Sequence, residues 1–166
     1  MFTETTMRAL EDAPVKMIAE DWALLTAGTA EKFNTMTVSW GGVGELWGKD
    51  VAFVFVRPQR YTYTFMEQGD TFTLTFFGGA YKKELGLCGK LSGRDVDKVQ
   101  ETGLTPWYTD GAVSFTEAQT VLVCKKIAAT DMKPENFLDD SISSCYHGDD
   151  YHRVYVGEIQ KVYVKK

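Results

Sequence analysis

The sequence predicts a mainly β, antiparallel barrel with a few short helices. Residues 35–40 and 71–76 alternate strictly between polar and apolar side chains, which is typical of half-buried strands. The helical segments are short and do not alternate regularly with the strands, which disfavours a doubly wound parallel sheet. The 166 residues fit a single domain, 1–166, in which residues 1–15 form an N-terminal arm or a short helix.

Each element has its own sequence signal. The continuous apolar run 51–56 predicts a strand buried on both faces, whereas the threonines of the strand 71–76 are expected on a solvated barrel exterior. Gly157 marks a possible bulge in the last strand, and residues 45–50 suggest a loop. Proline before a helix and glycine after it mark the helices. The predicted strands are 22–28, 35–40, 51–56, 71–76, 120–124 and 154–164, and the predicted helices are 61–68, 81–88 and 97–102.

Composition excludes several classes of protein. The 18 basic and 23 acidic residues give a net charge of −5, which argues against a nucleic-acid binder. The longest apolar run, 51–56, is far shorter than the roughly 20 residues of a membrane span, so no membrane partner is expected. The N-terminus does not resemble a secretory signal, and an odd number of cysteines fits a reducing compartment, so we expect a cytoplasmic protein. Of the three cysteines, Cys88, Cys124 and Cys145, the first and the last are candidates for reactive thiols, but we expect them to be buried and inert.

Two basic segments at helix starts predict a site for a phosphorylated ligand. Arg57 and Arg60 lie between a buried strand and a helix, where unpaired N–H groups and charge-assisted donors favour phosphate. Ser92, Arg94 and Lys98 precede or begin another helix, in a locally basic stretch of an acidic protein.

A row of small hydroxyls gives a second candidate surface. Thr35, Thr37 and Ser39 share one strand face, from which they could hydrogen-bond a polar ligand. By contrast, the glycine-rich segment 41–44 lacks the Rossmann spacing. His147 and His152 flank acidic residues at a spacing that matches no standard metal site, so no metal is expected.

Four segments in order carry a family resemblance: residues 34–41 (NTMTVSWG), 54–62 (VFVRPQRYT), 88–98 (CGKLSGRDVDK) and 151–159 (YHRVYVGEI). Together they resemble the flavin reductase-like family with the FMN-binding split-barrel fold, and its flavoredoxin-type branch in particular. The resemblance spans roughly residues 20–160. It implies a homodimer of Greek-key-like split β-barrels, each binding one FMN, rather than FAD, near the dimer interface.

The resemblance also implies a set of site residues. Asn34 to Trp40 would line the isoalloxazine ring, and the two basic segments would approach the phosphate or ribityl chain. His152 matches a histidine near the nicotinamide or the flavin, which makes it the candidate catalytic residue. The candidate cofactor-binding residues are Asn34, Thr35, Met36, Thr37, Ser39, Trp40, Arg57, Arg60, Tyr61, Thr62, Ser92, Gly93, Arg94 and Lys98.

The implied function is that of an NAD(P)H-dependent flavin reductase, which transfers hydride from NADH or NADPH to flavin. The first alternative is a flavoredoxin-type carrier, which holds FMN and exchanges electrons with a redox protein partner. An oxidase or pyridoxamine-type relative on the same barrel, or a barrel that has lost its cofactor, also remains open at this stage. The sequence does not distinguish NADH from NADPH or name the final electron acceptor.

Overall fold

The computed structural model describes residues 1–165, in which an antiparallel sheet curls around an apolar core. Three α-helices and a separate two-stranded hairpin pack against this sheet. The strands are β1 (Phe2–Thr5), β2 (Ala23–Gly28), β3 (Phe33–Val38), β4 (Gly41–Leu46), β5 (Lys49–Val56), β6 (Thr71–Phe76), β7 (Pro106–Thr109), β8 (Ala112–Phe115), β9 (Thr120–Asp131) and β10 (Arg153–Lys165). The helices are α1 (Tyr61–Gln68), α2 (Lys82–Lys90) and α3 (Lys98–Thr102).

The strands of the main sheet follow the order β3-β2-β6-β9-β10-β5-β4, and β1 pairs with β10. Its two end strands, β3 and β4, form no ladder with each other within residues 1–165, so the barrel is split there. The long strand β10 pairs with β9 along most of its length, and the register shifts between Val156 and Gly157. The predicted bulge at Gly157 is therefore confirmed, as is the mainly β, antiparallel split-barrel fold.

Side chains from both ends of the sheet meet in the main core. Met36 and Val38 of β3 belong to the same buried cluster as Val54 and Val56 of β5, so curling of the sheet brings the split edges onto a common interior. A second buried cluster lies under α2 and α3. Strand β3 is therefore covered by core on one face and by α2 on the other.

The three helices lie where the sequence predicts them. Helix α1 has the predicted bounds, and α2 is shifted by one or two residues from its prediction. Asp97 caps α3 by accepting hydrogen bonds from the backbone N–H groups of Val99 and Gln100. Gly103 ends this helix in the left-handed region with φ of 69°. Among the helices formed by residues 1–165, none has the length and apolar character needed to cross a membrane.

The predicted loop at residues 45–50 is wrong, because these residues belong to the β4–β5 hairpin. Trp47 and Gly48 form its two-residue turn, both with positive φ, as type I′ hairpin turns require. The three glycines of β4 obscured the strand, because glycine carries no periodic side-chain signal.

Three further expectations need correction. Part of the N-terminal arm is strand β1, which pairs with the end of β10. The hydroxyls of Thr73 and Thr75 are fully buried against β8, where they bond Val113 O at 2.6 Å and Ser114 Oγ at 2.8 Å, so this row is not a solvated exterior. Strand β5 is not buried evenly on both faces, because Phe53 and Phe55 are half-buried.

The close packing at Gly157 provides a test of the barrel. A Cβ at this position would lie 2.5 Å from Phe72 Cζ and 3.0 Å from Cys124 Cβ. We expect Gly157→Ala to lower the free energy of unfolding by about 1–3 kcal/mol through overpacking, measured by urea denaturation. Gly86→Ala is the control, because nothing lies near its Cβ and alanine favours the exposed middle of α2. Equal stability of both variants would contradict the packing.

Candidate functional site

Two cavities lie along β3 and meet at Arg60. The first, here called the Trp40 cavity, has a volume of about 190 Å³, and its walls include residues 36–40, Phe55, Arg57 and His152. The second, here called the Lys98 cavity, has about 100 Å³ and lies between the start of α1 and residues 90–93. Because Arg60 lines both cavities, one elongated ligand could reach from one into the other.

The Lys98 cavity is lined by one buried cation, Lys98, and one half-buried cation, Arg60. Lys98 is only 7% exposed, and its ammonium donates to the carbonyl oxygens of Thr35 and Cys88, both at 2.8 Å. Burial, together with the neighbouring charge of Arg60, lowers the pKa of Lys98 to about 8. Arg60 has a buried Nη2 atom without a hydrogen-bond partner, and burial and the charge of Arg57 lower its pKa.

These two cations lack a protein counter-ion. The ion pairs formed among residues 1–165 include neither Arg60 nor Lys98. A buried charge without a partner is costly, and two such charges of the same sign repel each other. The cavity therefore favours an anion, and a phosphate group has the charge and the acceptor oxygens that an unpaired guanidinium N–H requires.

The remaining walls of the Lys98 cavity are formed by closely packed residues of β3, α1 and the segment 90–93. The Asn34 side chain is buried and donates to the hydroxyl of Thr62 at 2.8 Å, which joins β3 to α1. Gly93 lies so near Asn34 Oδ1 that a Cβ there would clash with it. The guanidinium of Arg94 lies above the ring of Tyr61, 4.7 Å from its centroid. The structure thus brings the predicted residues Asn34, Arg60, Tyr61, Thr62, Ser92, Gly93 and Lys98 to one cavity.

The hydroxyls of Thr35 and Thr37 form hydrogen bonds within the protein, although Thr37 and Ser39 line the Trp40 cavity. The hydroxyl of Thr35 is buried against Thr26 Oγ1 at 2.9 Å, and that of Thr37 donates to the carbonyl of Leu85 in α2. The side chain of Met36 points into the core, so only its backbone groups are available to a ligand in the Trp40 cavity. Ser39 remains exposed beside Trp40, whose side chain is half exposed.

The two arginines of the first basic segment have different surroundings. Arg57 forms an ion pair with Asp150, donates to the carbonyl of Cys145 at 2.8 Å and lies 5.0 Å above the Tyr146 ring. It lines the Trp40 cavity, whereas the walls of the Lys98 cavity include Arg60. Arg57 therefore does not join the predicted phosphate group of residues.

His152 lies in the wall of the Trp40 cavity and is only 7% exposed. Its Nδ1 is 2.8 Å from the hydroxyl of Tyr146, and its ring centroid is 5.4 Å from that of Trp40. Burial, reinforced by the charge of Arg57, lowers the pKa of His152 to about 4. The imidazole is therefore neutral at pH 7.

Tyr146 determines which nitrogen of His152 carries the proton. The hydroxyl of Tyr146 keeps its proton, because burial raises its pKa. This O–H has two acceptors within reach, Met132 Sδ at 3.7 Å and His152 Nδ1 at 2.8 Å; because an imidazole nitrogen is a far stronger acceptor than a thioether, we expect the O–H to donate to His152 Nδ1. A neutral imidazole has one donor nitrogen, which leaves Nε2–H as the hydrogen-bond donor of the ring.

Sequence reasoning missed several residues of the site. Tyr146 and Asp150 lie on the segment before β10 and reach the site by contacts with Arg57, about ninety positions away in the chain. Phe55 was assigned to a buried strand and instead lines the Trp40 cavity. Among the cysteines, Cys88 is buried as predicted and Cys124 is buried too, whereas Cys145 is exposed and its predicted burial is wrong.

The protonation state of His152 can be measured directly. We expect ¹⁵N NMR of labelled protein to show a neutral His152 with its proton on Nε2 from pH 7 down to about pH 5. Tyr146→Phe removes the donor and should shift population towards the Nδ1–H form, whereas Tyr151→Phe, in the same aromatic cluster, should not. His147→Gln assigns the other histidine signal. A proton on Nδ1 in the unaltered protein would contradict the assignment.

The lowered pKa of His152 also predicts that the stability of the protein depends on pH. The pKa of His152 is about 4 in the folded chain against an ordinary value of 6.5, so the unfolded chain binds more protons between these values. The stability contributed by this group is present above pH 6.5 and is lost as the pH falls towards 4. We expect His152→Gln to flatten this part of the stability curve measured by urea denaturation at stepped pH. An unchanged slope would contradict the burial of a neutral imidazole.

Comparison with known proteins identifies the family. No curated protein sequence matches the chain significantly. Three solved structures share the fold: a flavoredoxin from Methanosarcina acetivorans (23% identity, 88% of this chain and 69% of that one, TM-score 0.68), an FMN-binding domain of a flavin reductases-like enzyme from Shewanella baltica OS155 (16%, 99% and 77%, 0.70), and the styrene monooxygenase flavin reductase of Pseudomonas putida S12 (16%, 88% and 80%, 0.65). The sequence model of the flavin reductase like domain matches residues 16–166. On this match, the chain belongs to the flavin reductase like domain family.

Proposed function

We propose that this chain is an FMN-binding NAD(P)H-dependent flavin reductase, with residues 1–166 acting as one domain. The observation that carries the proposal is a pair of neighbouring cations, the buried Lys98 and the half-buried Arg60, without a counter-ion among residues 1–165. A phosphate monoester in the Lys98 cavity would accept a hydrogen bond from Arg60 and compensate both charges. Family membership and the similarity to the FMN-binding domain from Shewanella baltica support a flavin as the molecule that carries this phosphate.

The Trp40 cavity suits the flavin ring. Aromatic side chains of Trp40 and Phe55 line it, and the backbone of residues 36–39 offers polar groups along one side. When bound, FMN would supply the two-electron chemistry, with NADH or NADPH as the source of hydride. Arg57 would stabilise negative charge on the reduced ring, and Nε2–H of His152 would hold a proton for hydrogen bonding to the ring or the nicotinamide.

The exposed aromatic surface beside the Trp40 cavity supports a homodimer. Trp40, in the wall of the cavity, is 50% exposed, and Phe53 and Phe55 are half-buried on one face of β5; Trp47, which is 65% exposed, lies at the far end of β4 in the hairpin turn. An exposed aromatic face of this kind is typical of a protein interface. We assign it to a second copy of the chain, and the three unbridged cysteines support a reducing compartment such as the cytoplasm.

One observation favours the alternative of a flavoredoxin-type electron carrier. Residues 131–150 contain six acidic residues and one basic residue, and they include Asp150, which forms the ion pair with Arg57. Arg57 lies in the wall of the Trp40 cavity, and the net negative charge of the segment would steer a basic redox partner towards this cavity. Such a carrier would hold FMN without accepting electrons from a nicotinamide.

Anaerobic reduction distinguishes the two functions. We expect the purified protein, saturated with FMN, to lose its visible flavin absorbance rapidly after addition of NADH or NADPH. Dithionite provides the fully reduced control spectrum. Reduction by dithionite but by neither nicotinamide would favour the carrier, and a failure to bind added FMN would contradict both functions.

Arg60→Gln tests the phosphate assignment. The change removes one charge-assisted hydrogen bond, so we expect FMN affinity to fall roughly 10- to 100-fold, measured by fluorescence quenching. The flavin-free protein should be as stable as before or more stable, because an uncompensated buried charge is lost. Arg8→Gln, which removes an exposed arginine paired with Asp50, is the control. Unchanged FMN affinity in Arg60→Gln would contradict the assignment.

A further inference from the structure

We propose that the Lys98 cavity binds its phosphate ligand together with one proton, which charges Lys98 in the bound state, so that an alkaline medium releases the flavin. The inference rests on the proposed function and adds a form of regulation to the same site. It follows from the surroundings of the Lys98 side chain, which satisfy a neutral amine better than an ammonium.

The nitrogen of Lys98 has two hydrogen-bond acceptors within the protein. It donates to the carbonyl oxygens of Thr35 in β3 and Cys88 in α2, both at 2.8 Å. A neutral amine has two N–H groups, which these two carbonyls satisfy, whereas an ammonium has a third N–H. Because Lys98 is buried in the wall of the cavity, this third N–H requires an acceptor from a ligand.

The nearest groups do not compensate the charge of an ammonium at this position. Arg60 carries a charge of the same sign. The thiol of Cys88 keeps its proton, because burial raises its pKa. The carboxylate of Asp97, at the start of α3, accepts hydrogen bonds from the backbone N–H groups of Val99 and Gln100 instead.

Other charged side chains on the surrounding elements are acidic and basic in nearly equal numbers. The helices α2 and α3 contribute Glu84, Lys90 and Glu101. The segments before β3 and before α3 contribute Glu31, Lys32, Arg94 and Asp95. The ion pairs of residues 1–165 join none of these carboxylates to Lys98, so a bound anion is what would compensate its charge.

The direction of the pH dependence follows from this arrangement. Burial, together with the charge of Arg60, lowers the pKa of Lys98 to about 8 in the flavin-free protein. Below this pH the lysine already carries its charge, and phosphate affinity does not depend on its titration. Above it, Lys98 must take up a proton when the phosphate binds, because the anion raises its pKa. The affinity then falls by about tenfold per pH unit at most.

The ratio of the affinities for FMN and riboflavin isolates the phosphate site, because both ligands share the ring and its titration. We expect the preference for FMN to fall about tenfold between pH 7 and pH 9, measured by fluorescence quenching. The phosphate itself does not cause this change, since its second pKa is roughly 6. An unchanged preference would overturn the proposal.

Lys98→Gln keeps an N–H donor at this position but cannot take up a proton. We expect this variant to prefer FMN over riboflavin less strongly at pH 7, and equally at pH 7 and pH 9. Cys145→Ser is the control, because it removes the exposed thiol of the segment that contacts Arg57 and should retain the fall. A fall that persists in Lys98→Gln would also overturn the proposal.

Isothermal titration of the unaltered protein in buffers of different ionisation enthalpy counts the protons without any variant. At pH 9 we expect roughly one proton to be taken up with FMN and none with riboflavin. FMN binding without proton uptake would overturn the inference and leave the proposed function intact. If no FMN binds at pH 7, the proposed function fails, and inorganic phosphate becomes the probe. Phosphate binding with proton uptake would support the inference, and the absence of either would overturn it.

Discussion

The site depends on two cations, the buried Lys98 and the half-buried Arg60, that form no ion pair with a carboxylate among residues 1–165. Lys98 joins β3 to α2 through two backbone carbonyls, and Arg60 lies at the N-terminal boundary of α1. These contacts satisfy the hydrogen-bonding capacity of Lys98 in part, but they leave its charge uncompensated. The flavin-free protein therefore stores electrostatic repulsion at the point where three elements meet, and an anion relieves it.

The other end of the site is organised differently. There the cation, Arg57, already has Asp150 as its counter-ion, and the titratable group, His152, is neutral and directed by Tyr146. The Lys98 cavity thus attracts an anion, whereas the Trp40 cavity presents the Nε2–H of His152 beside aromatic side chains. This division matches a ligand with a phosphate tail and a flat ring, and it leaves the exposed aromatic face of β5 near the ring end, where a second subunit would cover it.

The sequence predicted the strands and helices that local periodicity and helix-terminating residues reveal. Alternation revealed β3 and β6, and the proline, glycine and Asp97 signals placed the helices. Contacts between distant parts of the chain were not predictable in the same way. Thr73 looks solvated until β8 is known to cover it, and β4 lacks the side chains that would reveal its alternation. Arg57 and Arg60 look equivalent three residues apart. Their roles differ because Arg57 contacts Asp150, Cys145 and Tyr146, which are distant in the sequence.

The central claim is that the two unpaired cations hold a phosphate. The most direct measurement compares the affinities of the unaltered protein for FMN and for riboflavin, which lacks the phosphate, in the same buffer at pH 7. The account predicts that FMN binds at least roughly tenfold more tightly, because its phosphate gains charge-assisted hydrogen bonds in the Lys98 cavity. Equal affinities for the two flavins would contradict it, because the cations would then make no contribution to binding.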